Sequence, residues 1–274
     1  MDRFIFRIKK ALHYLKLRLG TKLSDPVLVY QMGKVASTSI YVSLKESTDL
    51  DVFHAHRLNP ENIARVREEH LQRGDVPPDD TRGLYLYKRL IKPRRKSIRI
   101  ITLIREPVGR NISAFFQNLE SFERMKGAHS ALEVEELVRD FIHKYNHDVP
   151  LTWFDEELRA ATGIDVYQHP FPHEKGYQRI DEPPFHVLIM RHDLDDGEKS
   201  ARIAEFLGLD SFHITRVNIS ADKEYAETYQ AFLASIQLPE DYVDRMLSSR
   251  YARHFYSPEE REALSQRWIG KGEE

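Results

Sequence analysis

The sequence predicts an α/β protein with a mainly parallel central sheet flanked by helices. Three observations carry that expectation. Short apolar runs rich in β-branched residues alternate with stretches of helical periodicity. The strongest apolar run, Ile98 to Ile104, is followed by Arg105-Glu106-Pro107, where proline opens a helix. The run Pro26 to Met32 ends at Gly33 and a set of small and polar residues before the next helical pattern, which is the layout of a strand–turn–helix unit.

Taken in order, Pro26 to Met32 reads as a buried strand and Thr38 to Lys45 as its helix. Asp51 to His56 reads as a second strand. Asn59-Pro60-Glu61 has the cap residue and first-turn proline of a helix that ends near Gly74. Asp75 to Asp80 is a turn, Leu84 to Leu90 a candidate strand, and Lys92 to Lys96 a basic loop. After the strand at 98–104 come helices over 107–122, 131–145 and 150–161. Asp165 to Phe171 and His186 to Met190 are expected strands, and the proline-rich stretch between them reads as loops or a β-hairpin. The remaining helices are expected over 197–207, 222–236, 239–248 and 258–268.

The 274 residues carry a net charge of −2, with 41% hydrophobic and 31% charged residues. That balance suits a globular protein and argues against a nucleic-acid partner, so any anion site must come from a local cluster. The chain has no cysteine, which removes disulfides, thiolate metal sites and cysteine nucleophiles and suits a reducing, cytoplasmic setting. No apolar run approaches the ~20 residues of a membrane span.

Residues 1–22 read as a separate basic amphipathic helix ahead of one domain over 23–274. Phe4, Ile5, Ile8, Leu12, Leu15 and Leu19 recur at helical spacing, with Arg3, Arg7, Lys10, Lys16 and Arg18 among them. Two roles fit this pattern: cover for a core or partner, which is the commoner use, and peripheral contact with an anionic membrane.

Two segments carry anion-binding chemistry. The first is Gly33-Lys34-Val35-Ala36-Ser37-Thr38-Ser39. A strand–turn–helix junction presents unpaired backbone N–H groups and the positive end of a helix, to which Lys34 adds a cation and Ser37, Thr38 and Ser39 add hydroxyls. The lysine follows the glycine directly, unlike the nucleotide-triphosphate loop, where it ends the motif. A surface lysine on a capped turn accounts for the same residues. The second segment runs from Arg105 to Ser113. Arg105 falls at the carboxyl end of the strongest strand, where open sheets bind ligands, with Arg110 and Ser113 on the following helix. An arginine fork with a serine hydroxyl is a receptor for a terminal phosphate. An arginine at a helix start and a buried serine are the plainer reading.

In order and separation, the two segments resemble the two motifs by which sulfotransferases, carbohydrate sulfotransferases above all, bind 3′-phosphoadenosine 5′-phosphosulfate (PAPS). The resemblance implies a P-loop-like sulfotransferase fold. It implies that Lys34, Ser37 and Thr38 face the 5′-phosphosulfate and that Arg105 and Ser113 hold the 3′-phosphate. It places Lys223, in the loop 218–223, near the adenosine. The tail, through Asp165 to Phe171 and His254 to Ser257, resembles bacterial capsular polysaccharide synthesis proteins. The chain departs from the family at Ala36, where many members carry glycine; a left-handed backbone there disfavours alanine.

The expected reaction is sulfuryl transfer from PAPS, as co-substrate, to an acceptor hydroxyl on a carbohydrate, without a metal. Lys34 is the candidate for neutralising the leaving phosphate oxygen. His54 and His56, alternate residues of one strand and therefore on one side of it, are candidates for the base, with His56 nearer the strand end. A core histidine, a metal pair lacking a third ligand, and a glutamate base elsewhere are the competing readings. A nucleotide-dependent kinase is the first rival, yet it calls for an aspartate where the strongest strand ends in Arg105; Asp193 is a weaker substitute. A nucleotide-binding accessory protein of polysaccharide assembly is the second.

Overall fold

The structure, a computed structural model, describes residues 26–74, 76–94, 97–122, 132–217 and 226–269. The expected helix over 1–22 and the candidate Lys223 lie outside the described residues. A five-stranded sheet is built from β1 (Pro26–Tyr30), β2 (Asp51–Ala55), β3 (Ile98–Ile104), β4 (Tyr177–Glu182) and β5 (Phe185–Arg191), in the order β2-β1-β3-β5-β4. All pairings are parallel except β4–β5, an antiparallel hairpin at one edge joined by Pro183 and Pro184. The parallel strands are covered on both faces, so β1 is buried at all five positions and β3 at six of seven. Burying one such aliphatic side chain contributes ~1.5–3 kcal/mol.

The helices are α1 (Ser37–Ser47), α2 (Pro60–Gln72), α3 (Thr81–Leu86), α4 (Pro107–Phe122), α5 (Val134–Lys144), α6 (Val149–Trp153), α7 (Asp196–Leu207), α8 (Ala226–Ser235), α9 (Glu240–Leu247), α10 (Arg250–Phe255) and α11 (Pro258–Ile269). Wide π-turns extend α3 through Tyr87–Ile91 and α6 through Phe154–Arg159. One apolar cluster fills the faces of the sheet. A second lies among α4, α5, α8, α9 and α11, around Phe115, Phe116, Phe141 and Phe232. Chain connections from β1 and β3 leave toward opposite edges of the sheet, so the crevice at their carboxyl ends is a topological switch point, the usual ligand site of open α/β sheets.

Two expected strands are not strands. Residues 84–90 belong to α3 and its π-turn extension. Leu86 and Leu90 are one helical turn apart and both buried, and Gly83 lets the helix approach so closely that a Cβ there would lie 2.2 Å from the Arg57 carbonyl oxygen. The alternation Leu-Tyr-Leu-Tyr looked like a strand because a short apolar run does not separate the two periods. Residues 165–171 form a 3₁₀ turn at Val166–Gln168 instead, started by the Asp165 carboxylate, which accepts from the Tyr167 N–H at 3.1 Å. Pro170 and Pro172 supply no N–H for a ladder there.

One buried carboxylate ties the extended α6 to the sheet. Glu157, fully buried, accepts from the Tyr30 hydroxyl, from the N–H groups of Leu58 at 2.7 Å and Asn59 at 3.1 Å, and from the Asn62 amide. Glu157→Ala strands several buried donors, each costing ~1–3 kcal/mol, whereas Tyr30→Phe removes one partner and costs about 1 kcal/mol. Urea denaturation of the two variants measures the difference; equal losses would contradict the carboxylate's role as the shared acceptor.

Candidate active site

Each parallel strand delivers the residue just beyond its carboxyl end to one cavity of about 700 Å³: Gln31 after β1, His56 after β2, Arg105 after β3 and His192 after β5. The loop from Gln31 to Ala36 forms its floor. Gly33, Lys34 and Ala36 all have left-handed backbone, with φ of 81°, 63° and 62°. Three carbonyls of this loop are held from behind. Arg110 donates to the Met32 oxygen at 2.9 Å and to the Gly33 oxygen at 3.4 Å, and Arg105 donates to the Lys34 oxygen at 3.4 Å. A left-handed residue beside the first helical residue turns successive N–H groups toward one point, a concavity that suits an anion.

The starts of the two helices that flank the crevice differ. Glu106 caps α4 with its own carboxylate, accepting from the N–H groups of Val108 at 2.9 Å and Gly109 at 2.6 Å. A Cβ at Gly109 would meet that carboxylate at 2.1 Å, so a larger residue there would displace it from the cap. Ala36 offers α1 no side-chain cap, and Ser37, Thr38 and Ser39 line the cavity. The positive end of α1 is therefore the one presented to a ligand.

Gln31, fully buried, organises the loop. Its Oε1 accepts from the Gly33 N–H, and its amide nitrogen lies 2.5 Å from Ser37 Oγ and 2.9 Å from His54 Nε2. His54 therefore accepts at Nε2 and is neutral; burial, with the charges of His56 and Arg82 added, pushes its pKa down to about 4. His56 Nδ1 lies 3.0 Å from the Gln31 carbonyl oxygen, an acceptor, and 3.1 Å from the Gln31 amide nitrogen, a donor; the tautomer that donates to the carbonyl leaves Nε2 with its lone pair. Desolvation lowers the His56 pKa, and the nearby Arg57 and Arg110 charges add to this. As expected of alternate strand residues, the two rings lie on one side, with centroids 4.8 Å apart.

The cavity gathers Gly33, Lys34, Ala36, Ser37, Thr38, Ser39, Arg105, Ser113 and His56. It does not gather three other candidates. Val35 is fully buried in the core, Arg110 is buried and spent on the loop carbonyls, and His54 stands behind Gln31 and Ser37. Ser39 lines the cavity but also binds both the N–H and the carbonyl of Val217, stitching residues 214–217 to α1.

Several lining residues were not singled out from the sequence. Gln117 accepts from the Lys34 ammonium. His192 has its pKa lowered to about 4 by burial and by Arg105. Lys199 binds Asp196 at 2.8 Å and the His192 carbonyl at 3.0 Å, and Arg216 binds Asp196 at 2.5 Å. Among the described lining residues, Lys34, Arg105, Lys199 and Arg216 face a single carboxylate, Asp196, so the cavity is cationic. Among the described residues no group of three or more His, Cys, Asp or Glu side chains is placed to hold a metal ion, and no helix is long and apolar enough to cross a membrane.

A family model described as "putative capsular polysaccharide synthesis protein" matches residues 132–257. The matched segment carries His192, Asp196, Lys199 and Arg216, one wall of the cavity, and leaves out the loop 33–39 and Arg105. Neither the curated proteins nor the solved structures contain a match.

Ala36 stores strain, because a left-handed conformation costs a residue with a Cβ roughly 1–2 kcal/mol. Ala36→Gly is expected to raise stability by about 0.5–1 kcal/mol after the extra unfolded-state entropy of glycine is subtracted. A lower unfolding midpoint in urea would contradict this.

Stability should also fall in acid. With a folded pKa near 4 against an ordinary 6.5, His54 binds no proton in the folded state across that window while the unfolded chain does. Its contribution is complete above pH 6.5 and is lost as the pH falls toward 4, at up to about 1.4 kcal/mol per pH unit. His54→Gln should flatten the fall in melting temperature between pH 7 and 4.5; an unchanged slope would count against a half-buried neutral imidazole.

Proposed function

We propose that the protein is a PAPS-dependent sulfotransferase that sulfates a hydroxyl of a carbohydrate, on the sulfotransferase variant of the P-loop-like fold. The observation that carries this reading is the meeting, at the β1–β3 crevice, of an amide-presenting loop, an open helix start, Lys34, and the Arg105–Ser113 pair in one cationic cavity. Two separated anion receptors suit a ligand with a phosphosulfate at one end and a phosphate at the other. The capsular polysaccharide similarity supports a sugar acceptor.

When bound, PAPS supplies the sulfuryl group. The loop N–H groups and Lys34 are assigned to the phosphosulfate, where the ammonium neutralises charge gathering on the leaving phosphate oxygen. Arg105 and Ser113 are assigned to the 3′-phosphate. His56 is assigned the base role, in the tautomer whose Nδ1 donates to the Gln31 carbonyl and whose Nε2 takes the acceptor's proton. Arg110 and Gln31 position the loop. A metal-assisted kinase gains little support: Asp193 is held by Arg191 at 2.7 Å and is not among the residues lining this cavity.

Thermal melts with adenosine 3′,5′-bisphosphate, ATP and 5′-AMP, each with and without Mg²⁺, test the reading. A metal-independent rise specific to the bisphosphate, absent in Arg105→Ala, is expected, since ligand bound only to the folded state stabilises it. A rise only with ATP and Mg²⁺ would replace this reading with the kinase; no rise with any nucleotide would favour an accessory protein.

A further inference from the structure

His54 is the base candidate that the cavity leaves out, because Gln31 and Ser37 stand in front of it. Its ring stacks on Tyr41, with centroids 5.4 Å apart and planes 22° from parallel. Its Nε2 points into the polar cluster behind the loop. What it does there follows from a count of protons.

The Gln31 side chain has a fixed orientation, because only Oε1 can accept from the Gly33 N–H. Its amide nitrogen brings two protons to three neighbours. These are Ser37 Oγ at 2.5 Å, His54 Nε2 at 2.9 Å and His56 Nδ1 at 3.1 Å. Ser37 Oγ also lies 3.1 Å from His54 Nε2 and can give it the hydroxyl proton. The bare nitrogen of a neutral imidazole has one lone pair, so His54 Nε2 accepts from Gln31 or from Ser37 and not from both.

Two arrangements remain, and in each Ser37 Oγ accepts one amide proton. In the first, Ser37 donates to His54, and the second amide proton goes to His56 Nδ1. That nitrogen is then bare, and it faces the Gln31 carbonyl oxygen at 3.0 Å, lone pair against lone pair. In the second, the other amide proton goes to His54, while His56 Nδ1 keeps a proton and donates it to that carbonyl. The two arrangements make the same number of hydrogen bonds. Only the first sets two acceptors against each other, so the second is favoured. What it leaves over is the Ser37 hydroxyl proton, on an oxygen that is already paired.

We infer that His54 is a positioning residue: by taking the second amide proton of Gln31, it holds His56 in the tautomer whose Nε2 is bare. The hydrogen bond made by one ring nitrogen decides the state of the other. Alternate residues of a strand share a side, which is why one amide reaches both rings. Desolvation brings the His54 pKa down to about 4, so its Nε2 is still an acceptor at pH 7. The backbone that carries the His56 ring is held as well, since the Trp153 indole N–H donates to the His56 carbonyl at 3.0 Å. The value of this for catalysis rests on the base role proposed for His56; the tautomer rests on the contacts alone.

Nitrogen NMR of the histidine rings of the full chain at pH 7 tests the inference, because a bare ring nitrogen resonates far downfield of a protonated one. His56→Gln identifies the His56 pair by its loss. In the wild type, Nδ1 should give the protonated signal and Nε2 the bare one. His54→Phe keeps a ring against Tyr41 and removes the acceptor, so the two His56 signals should move toward each other as the other tautomer enters. His54→Gln, whose side-chain oxygen reaches the place of Nε2, should restore the wild-type pattern. A wild type with Nε2 protonated overturns the inference without any variant, and so do His56 signals that His54→Phe leaves in place. Melts with adenosine 3′,5′-bisphosphate keep the two proposals apart. No nucleotide shift beside the expected spectra defeats the sulfotransferase reading alone, and a nucleotide shift beside a protonated Nε2 defeats the positioning role alone.

Discussion

The buried amide of Gln31 is the junction on which the ligand end of the sheet depends. It leaves β1 at the switch point and reaches the loop through Gly33, α1 through Ser37 and β2 through His54. Its backbone carbonyl meets His56 as well. Each contact is worth about 0.5–1.5 kcal/mol net, yet the network's greater effect is on uniqueness, since a buried polar cluster tolerates few alternative arrangements. Arg110 supplies the opposite restraint by gripping the loop carbonyls from beneath. Between them they hold the left-handed backbone of the loop from two sides.

Strain at Lys34 and Ala36 is meaningful because the surroundings enforce it. Left-handed residues with a Cβ are uncommon and persist where structure on all sides determines them. The self-capped α4 beside the uncapped α1 points the same way. The chain has the means to satisfy a helix start, as Glu106 shows, and does not use them at the cavity.

Much of the fold was legible in the sequence because long apolar runs and capping residues are local signals. Ile98–Ile104, Asn59-Pro60 and the proline after Arg105 each name their element without help from the rest of the chain. Residues 84–90 and 165–171 were not legible, since their periods are too short to decide and their state depends on partners distant in sequence. Half of the cavity could be read for a similar reason: Gly33–Ser39 and Arg105–Ser113 are contiguous motifs. His192, Lys199 and Arg216 reach the cavity only through the placement of β5 beside β3. Gln31 sat unnoticed within an expected strand, although a glutamine at the end of a fully apolar run was the signal available. Ala36 could be flagged as a departure, but its backbone angle could not be foreseen.

Arg105 and His192 also line a second cavity of about 510 Å³, between the start of α4 and α11, and this has a thermodynamic consequence. An anion that draws the Arg105 guanidinium changes the field at His192, whose pKa that charge already lowers. Ligands placed against these shared side chains would feel one another, and linkage requires any such coupling to be equal in both directions. Whichever cavity filled first would change the affinity of the other by the same factor, so the shared wall sets the size of the coupling and not the order of filling.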